Sequence, residues 1–207
     1  MMEQRSRQQP IDMTEALAPH QVKEIQESYR DKDRPILMIG PMAAGKSYIG
    51  SHLARLYGYE FLDSDQLIVD QYGDVTQIFS DLGEGAFRQI EAQVIEDILA
   101  SPTRRNLIFS LGGGAPMTDR VAQALAEETV IYIRVDASTV APRILNSKTR
   151  PLLQEDPIGR WQQIFDQRRA RYESLATYTL DARGGRDIAD MAAELQDFIL
   201  NQRKGQA

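Results

Sequence analysis

The stretch Gly40-Pro41-Met42-Ala43-Ala44-Gly45-Lys46-Ser47 constrains this chain more than any other. It follows the apolar run Ile36–Ile39 and precedes Lys46–Tyr57, where Ile49, Leu53 and Leu56 recur at helical spacing. A strand, a glycine-bearing turn and a helix in that order are the context in which G-x-x-x-x-G-K-[ST] acquires meaning. Successive backbone N–H groups of such a turn can converge on one anion, and the helix that follows adds the positive end of its dipole. Lys46 then bridges the β- and γ-phosphates of a nucleotide, and the Ser47 hydroxyl ligates Mg²⁺. Two positions depart from the ideal. Ala43 brings a Cβ into the turn, and Tyr48 carries a phenol that cannot reach an α-phosphate as a small hydroxyl can.

The same strand–helix alternation continues down the chain. Tyr59–Leu62, Leu107–Leu111, Val130–Val135 and Tyr178–Asp181 read as further short strands. Gln66–Tyr72, Thr76–Leu82, Glu84–Leu99, Asp119–Ala126, Ser138–Leu145, Trp161–Thr177 and Ile188–Asn201 read as helices, with Phe87, Ile90, Val94 and Ile98 along one stripe. Such a pattern predicts an α/β fold, with a parallel sheet covered on both faces. Asn146–Pro157 is a polar, proline-bearing connection. Residues 1–34 form a polar N-terminal extension with one short helix expected over His20–Tyr29, and the globular domain spans 35–207.

Composition closes off several function classes. The chain has 207 residues, 42% hydrophobic and 26% charged, enough for one large packed domain. It has no cysteine, which excludes disulfides, zinc thiolates and a cysteine nucleophile. No apolar run approaches the about 18 residues of a membrane span, and no basic-then-apolar leader opens the chain, so a cytoplasmic protein without a membrane partner is expected. A net charge of −6 and a pI near 5.0 point away from nucleic acid. An anionic ligand would need a local cluster of arginines.

Phe61-Leu62-Asp63-Ser64-Asp65 closes the second strand. If that backbone is extended, Asp63 and Asp65 project to one side, at the carboxyl end of the sheet where open α/β folds bind ligands. One carboxylate can serve Mg²⁺ and the other can orient or deprotonate an attacking hydroxyl. Ordinary helix N-capping by Asp65 is the alternative.

Taken together, the phosphate loop, Asp63-Ser64-Asp65, Gly83-Glu84-Gly85-Ala86-Phe87-Arg88-Gln89-Ile90-Glu91, Gly112-Gly113-Gly114 and Arg150-Pro151-Leu152-Leu153 resemble the shikimate kinase family from about Pro35 to Asn201. The resemblance implies a three-layer P-loop kinase fold like that of nucleoside monophosphate kinases, with a five-stranded parallel sheet and a lid over about Asn146–Pro157. It implies ATP-dependent phosphorylation of the 3-hydroxyl of shikimate, with Mg²⁺ as cofactor. By the same resemblance Asp65 holds and orients the attacking hydroxyl and Asp63 serves the metal with Ser47. Arg88, supported by Glu91, and Arg168, four residues before Tyr172, take the shikimate carboxylate. Gly112, Gly113 and Gly114 offer backbone contacts to substrate, Arg143 lies against adenine, and Arg150 reaches the phosphates from the lid. A monomer acting on two small molecules is expected.

Elementary chemistry agrees with parts of this. A guanidinium fork matches a planar carboxylate better than an ammonium does. Arg88 and Glu91 are three apart on a helix and share a face, although a surface ion pair would look the same. Of Arg168, Arg169 and Arg171, only Arg168 has the matching offset from Tyr172. Trp161, Met38 and Met42 read as packing, and neither His20 nor His52 has a partner pattern. A gluconate-type kinase of the same fold, or a catalytically silent nucleotide-binding regulator, remains the alternative.

Overall fold

In the computed structural model, residues 34–104, 106–146 and 156–205 are described. Five apolar runs pair into one sheet: β1 (Ile36–Ile39), β2 (Glu60–Asp63), β3 (Leu107–Ser110), β4 (Thr129–Arg134) and β5 (Tyr178–Asp181). Their order is β2-β3-β1-β4-β5, and every pairing is parallel. β1 and β3 are buried along their whole length, as strands covered on both faces must be. The edge strands β2 and β5 tolerate Glu60, Asp63 and Asp181. In the middle of the sheet Leu37 stands opposite Phe109 and Val130, all three fully buried.

Among the described residues six α-helices lie between the strands and a seventh follows β5: α1 (Lys46–Tyr57), α2 (Ser64–Tyr72), α3 (Val75–Ala100), α4 (Asp119–Leu125), α5 (Ala137–Leu145), α6 (Pro157–Leu175) and, last, α7 (Ile188–Gly205). α1 packs on β1, β2 and β3 and against α7; α6 packs against α5 and β4; α3 packs against α4. A second, smaller apolar cluster of Ile68, Ile78, Phe87 and Val94 locks α2 to α3. It fixes the helix face that carries Arg88 and Glu91.

The expected strand–helix order holds throughout, with local differences. The second strand lies one residue later, because Asp63 still pairs in register with Ser110. The helices expected over Thr76–Leu82 and Glu84–Leu99 meet as one kinked rod, broken at Gly83 with φ 80° and ψ 168°. A short 3₁₀ turn over Ala115–Met117, absent from the sequence reading, follows the triple glycine. Of the expected lid only Asn146, which ends α5, and Asp156 and Pro157, which begin α6, belong to the described residues. The helix expected over His20–Tyr29 lies outside them. Arg34 pairs with Glu128 at 2.6 Å, beside the start of β1.

Because all five strands run the same way, their carboxyl ends share one rim. Gly40 follows β1, Asp63 ends β2 and Gly112 follows β3 at that rim.

Candidate active site

The turn between β1 and α1 is shaped by backbone that few side chains adopt. Gly40, Ala43 and Gly45 have φ of 145°, 64° and 91°. A Cβ on Gly40 would stand 2.8 Å from the Ile133 carbonyl oxygen, so that position requires glycine. Ala43 carries its Cβ in the left-handed region, a strain of about 1–2 kcal/mol for an L-residue. No side chain caps α1 at Gly45, whereas Asp63, Asp74, Asp136 and Asp156 cap α2, α3, α5 and α6. An acid at Gly45 would repel an anion, and its absence leaves the end of α1 to a ligand; α4 likewise lacks a side-chain cap at Thr118. Lys46, nearly buried, donates from Nζ to the Gly40 and Pro41 carbonyls at 3.0 and 3.2 Å. Pro41, Met42 and Ala44 complete the turn, closed by Ala44 N–H on Pro41 O at 3.2 Å. Arg143 of α5 donates from Nη1 to the Ala43 carbonyl at 2.9 Å. Tyr48 points outward, 65% exposed.

The acid pair has a different geometry from the one expected. Asp63 and Asp65 are not two residues of one extended strand. Asp63 ends β2 and its Oδ1 accepts from Asp65 N–H at 3.0 Å, which turns the chain into α2. Asp65 therefore sits in the first helical turn. Local capping wins because it satisfies an otherwise unpaired amide. The two acids still face one space: Asp63 Oδ2 accepts from Ser47 Oγ at 2.5 Å, and Ser47 Oγ lies 3.4 Å from Ser110 Oγ. Burial pushes the Asp65 carboxyl up, and the Asp63 charge pushes it further; Lys46 and Arg88 pull the other way without cancelling the rise.

The third strand delivers the glycine turn into this space. Gly112 N–H donates to the buried Ser64 Oγ at 2.9 Å. A Cβ on Gly112 would lie 2.5 Å from Asp65 Oδ1 and 2.9 Å from Glu91 Oε1, and one on Gly114 2.6 Å from Arg88 Nη1. Gly113 backs onto the phosphate loop, where its Cβ would stand 3.3 Å from Met42 N. The Gly113 carbonyl accepts from Tyr172 OH at 2.5 Å and from Arg168 Nη1 at 3.4 Å.

The ion pair on α3 is an interior one. Glu91 is 1% exposed, and its Oε2 accepts from Arg88 Nη1 at 2.6 Å. Burial pushes the Glu91 carboxyl up, against the pull of Arg88 and Arg168, with Asp65 adding to the rise. Burial alone would lower the Arg88 pKa, yet Glu91 and Glu84 hold it above its ordinary value. Of the three arginines on α6, Arg168 turns to the glycine turn, Arg169 pairs with Glu173 at 2.8 Å, and Arg171 pairs with Asp119.

The structure thus brings Gly40–Ser47, Asp63, Asp65, Arg88, Glu91, Gly112–Gly114, Arg143 and Arg168 to one rim. Arg150 lies outside the described residues. Sequence reasoning missed Ser64, whose hydroxyl holds the glycine turn, and took Tyr172 only as a spacing marker. It also read Trp161 as packing, although its Nε1–H donates to the Met42 carbonyl at 2.8 Å. The signal was there in part, since a buried indole N–H or phenol hydroxyl seeks a partner. The His52 ring lies beside that of Tyr48, with centroids 6.4 Å apart.

Comparison with known proteins points one way. A family model described as shikimate kinase matches residues 42–199. A shikimate kinase from Corynebacterium efficiens is 37% identical over 148 residues, which is 70% of this chain and 85% of that protein. The solved structure of a shikimate kinase from Acinetobacter baumannii in complex with shikimate matches with a TM-score of 0.75 at 32% identity, over 86% of this chain and 98% of that one. A gluconokinase from Sinorhizobium meliloti matches with a TM-score of 0.55 at 16% identity, over 84% of this chain and 95% of that one, a likeness of fold alone.

Proposed function

The chain belongs to the shikimate kinase family, and from that membership we infer that it transfers the terminal phosphoryl group of ATP to the 3-hydroxyl of shikimate, giving shikimate 3-phosphate and ADP. One observation carries the reading from the family to this chain. An uncapped helix end that suits phosphates and two arginines that suit a carboxylate share the rim, with an acid between them.

The residues take roles that their chemistry supports. Backbone N–H groups of the turn between Gly40 and Ser47, Pro41 and Ala44 excepted, and the Lys46 ammonium hold the phosphates, and Arg143 lies beside the turn. Ser47 Oγ and Asp63 Oδ2 are hard oxygen donors 2.5 Å apart, a pair that fits Mg²⁺ directly or through water. Bound there, Mg²⁺ neutralises charge on the phosphate oxygens. Arg88, steadied by Glu91, and Arg168 receive the carboxylate of shikimate, and the amides of Gly112–Gly114 line its ring. Asp65, as a carboxylate, accepts a hydrogen bond from the 3-hydroxyl and aims its oxygen at the γ-phosphorus. The new P–O bond forms as the bond to the β-phosphate oxygen breaks, the electron pair leaves with ADP, and the 3-hydroxyl proton passes along its hydrogen bond to the Asp65 carboxylate. By the family resemblance Arg150 adds positive charge at the phosphates when the lid closes.

Among the described residues no helix is long and apolar enough to cross a membrane. With a net charge of −6, the reading extends to a cytoplasmic monomer that acts on small molecules, without a nucleic-acid or membrane partner. A coupled ADP assay on the purified chain tests the function. ADP should form with shikimate and not with gluconate. Equal turnover of the two acceptors, or bound ATP with no turnover, would contradict it.

A further inference from the structure

Trp161 is the chain's single tryptophan. It is 2% exposed on α6 and stacks on Phe165 with ring centroids 5.0 Å apart. Packing accounts for the ring but not for its one polar atom, which donates to the Met42 carbonyl at 2.8 Å. Met42 immediately precedes Ala43, the left-handed residue of the phosphate loop. A residue with a Cβ stays in that conformation only where its surroundings fix it.

The peptide bonds here are trans, so the Met42 carbonyl and the Ala43 N–H lie in one plane and point in opposite directions within it. Holding the carbonyl toward α6 holds the Ala43 N–H away from it. The next amide, Ala44 N–H, is committed to Pro41 O at 3.2 Å, and the next carbonyl, Ala43 O, to Arg143 at 2.9 Å. The Met42–Ala43 peptide is thus the unit of this turn whose direction the indole governs.

We propose that Trp161 is a positioning residue for the nucleotide: its indole N–H fixes the Met42–Ala43 peptide so that the Ala43 N–H faces the phosphates. The inference rests on the reading of this loop as an ATP cradle and adds to it the residue on α6 that sets the cradle's shape. Trp161 touches no reacting atom; it acts through the backbone of Met42.

Trp161→Phe keeps an aromatic ring against Phe165, removes the donor, and leaves a smaller ring in a buried site, a packing loss that Tm reads separately. One lost hydrogen bond corresponds to an ATP Kd, by calorimetry, and an ATP KM that rise roughly three- to tenfold. The shikimate KM should stay within about twofold. A purely packing role would lower Tm and leave the ratio of the two KM values where it was. The native chain supplies a second measurement that needs no variant. Because Trp161 is the sole tryptophan, saturating ATP should change the emission with the calorimetric Kd, and shikimate alone should not. An unchanged ATP Kd in Trp161→Phe, or native emission indifferent to bound ATP, overturns the proposal while the cradle stands. A native chain that binds no ATP in the calorimeter overturns the cradle itself, and the proposal with it.

Discussion

Arg88 is steadied from three sides: by Glu91 at 2.6 Å, by Glu84 at 3.3 Å and by the Phe87 ring, 5.3 Å from the guanidinium carbon to the ring centroid. A fork held this way loses little freedom when it meets a carboxylate. Arg88→Ala should therefore raise the KM for shikimate on the order of 10- to 100-fold and leave ATP affinity within about twofold. Steady-state kinetics with each substrate varied would check this, and equal effects on both would contradict the assignment. Asp65 makes a second prediction. Its folded pKa is raised by burial and by Asp63, and it must be ionised to accept the hydroxyl's hydrogen bond. Activity is then lost as pH falls through that raised value, so the acid limb of kcat/KM should lie above 3.8, the ordinary value for the group. An acid limb at or below that value would remove Asp65 from this role. Asp65→Asn should cost on the order of 100- to 10,000-fold in kcat. Helical spacing placed Arg88 and Glu91 on one face, while the roles of Arg88 and Asp65 came from the family resemblance. Ser64 and Trp161 were not legible, because each acts through a backbone atom of another segment, Gly112 N–H and the Met42 carbonyl.

Among the elements, the glycine turn after β3 is the tightest part of the site. Three glycines in a row announce close approach, and the structure identifies what approaches: Asp65 and Glu91 at Gly112, the phosphate loop at Gly113, the Arg88 guanidinium at Gly114. Gly114→Ala meets the movable end of a side chain rather than backbone, so the guanidinium yields and the fold survives. We expect a shikimate KM raised roughly tenfold with Tm lowered by no more than about 4 °C. Gly85→Ala, on α3 where a Cβ meets nothing within 4 Å, should instead raise Tm, with a gain of about 0.5–1 kcal/mol. Kinetics and thermal melts of both variants would check the contrast; loss of folding in Gly114→Ala would refute it. The order of strands and helices was readable because apolar runs of helix and strand period alternate along the chain. The turn from β2 into α2 was not, since spacing alone cannot tell an extended D-x-D from an Asp that caps the following helix.

At the scale of the molecule, the described residues fold into five strands and seven helices. The main apolar cluster runs from Ile36 to Ile199. A chain beginning at Arg34, which keeps the pair with Glu128, should therefore retain the Tm and the shikimate-dependent turnover of the full chain. A fall of more than about 4 °C, or a loss of turnover, would give residues 1–33 a working part in the domain. The central claim is that one rim of the sheet grips a nucleotide's phosphates and a small carboxylated polyol together. A crystal grown with ADP and shikimate measures this directly. The shikimate carboxylate should lie about 2.7–2.9 Å from the guanidinium nitrogens of Arg88 and Arg168, with the 3-hydroxyl on Asp65 and the ADP phosphates in the Gly40–Ser47 turn. A carboxylate bound away from both arginines would contradict the account.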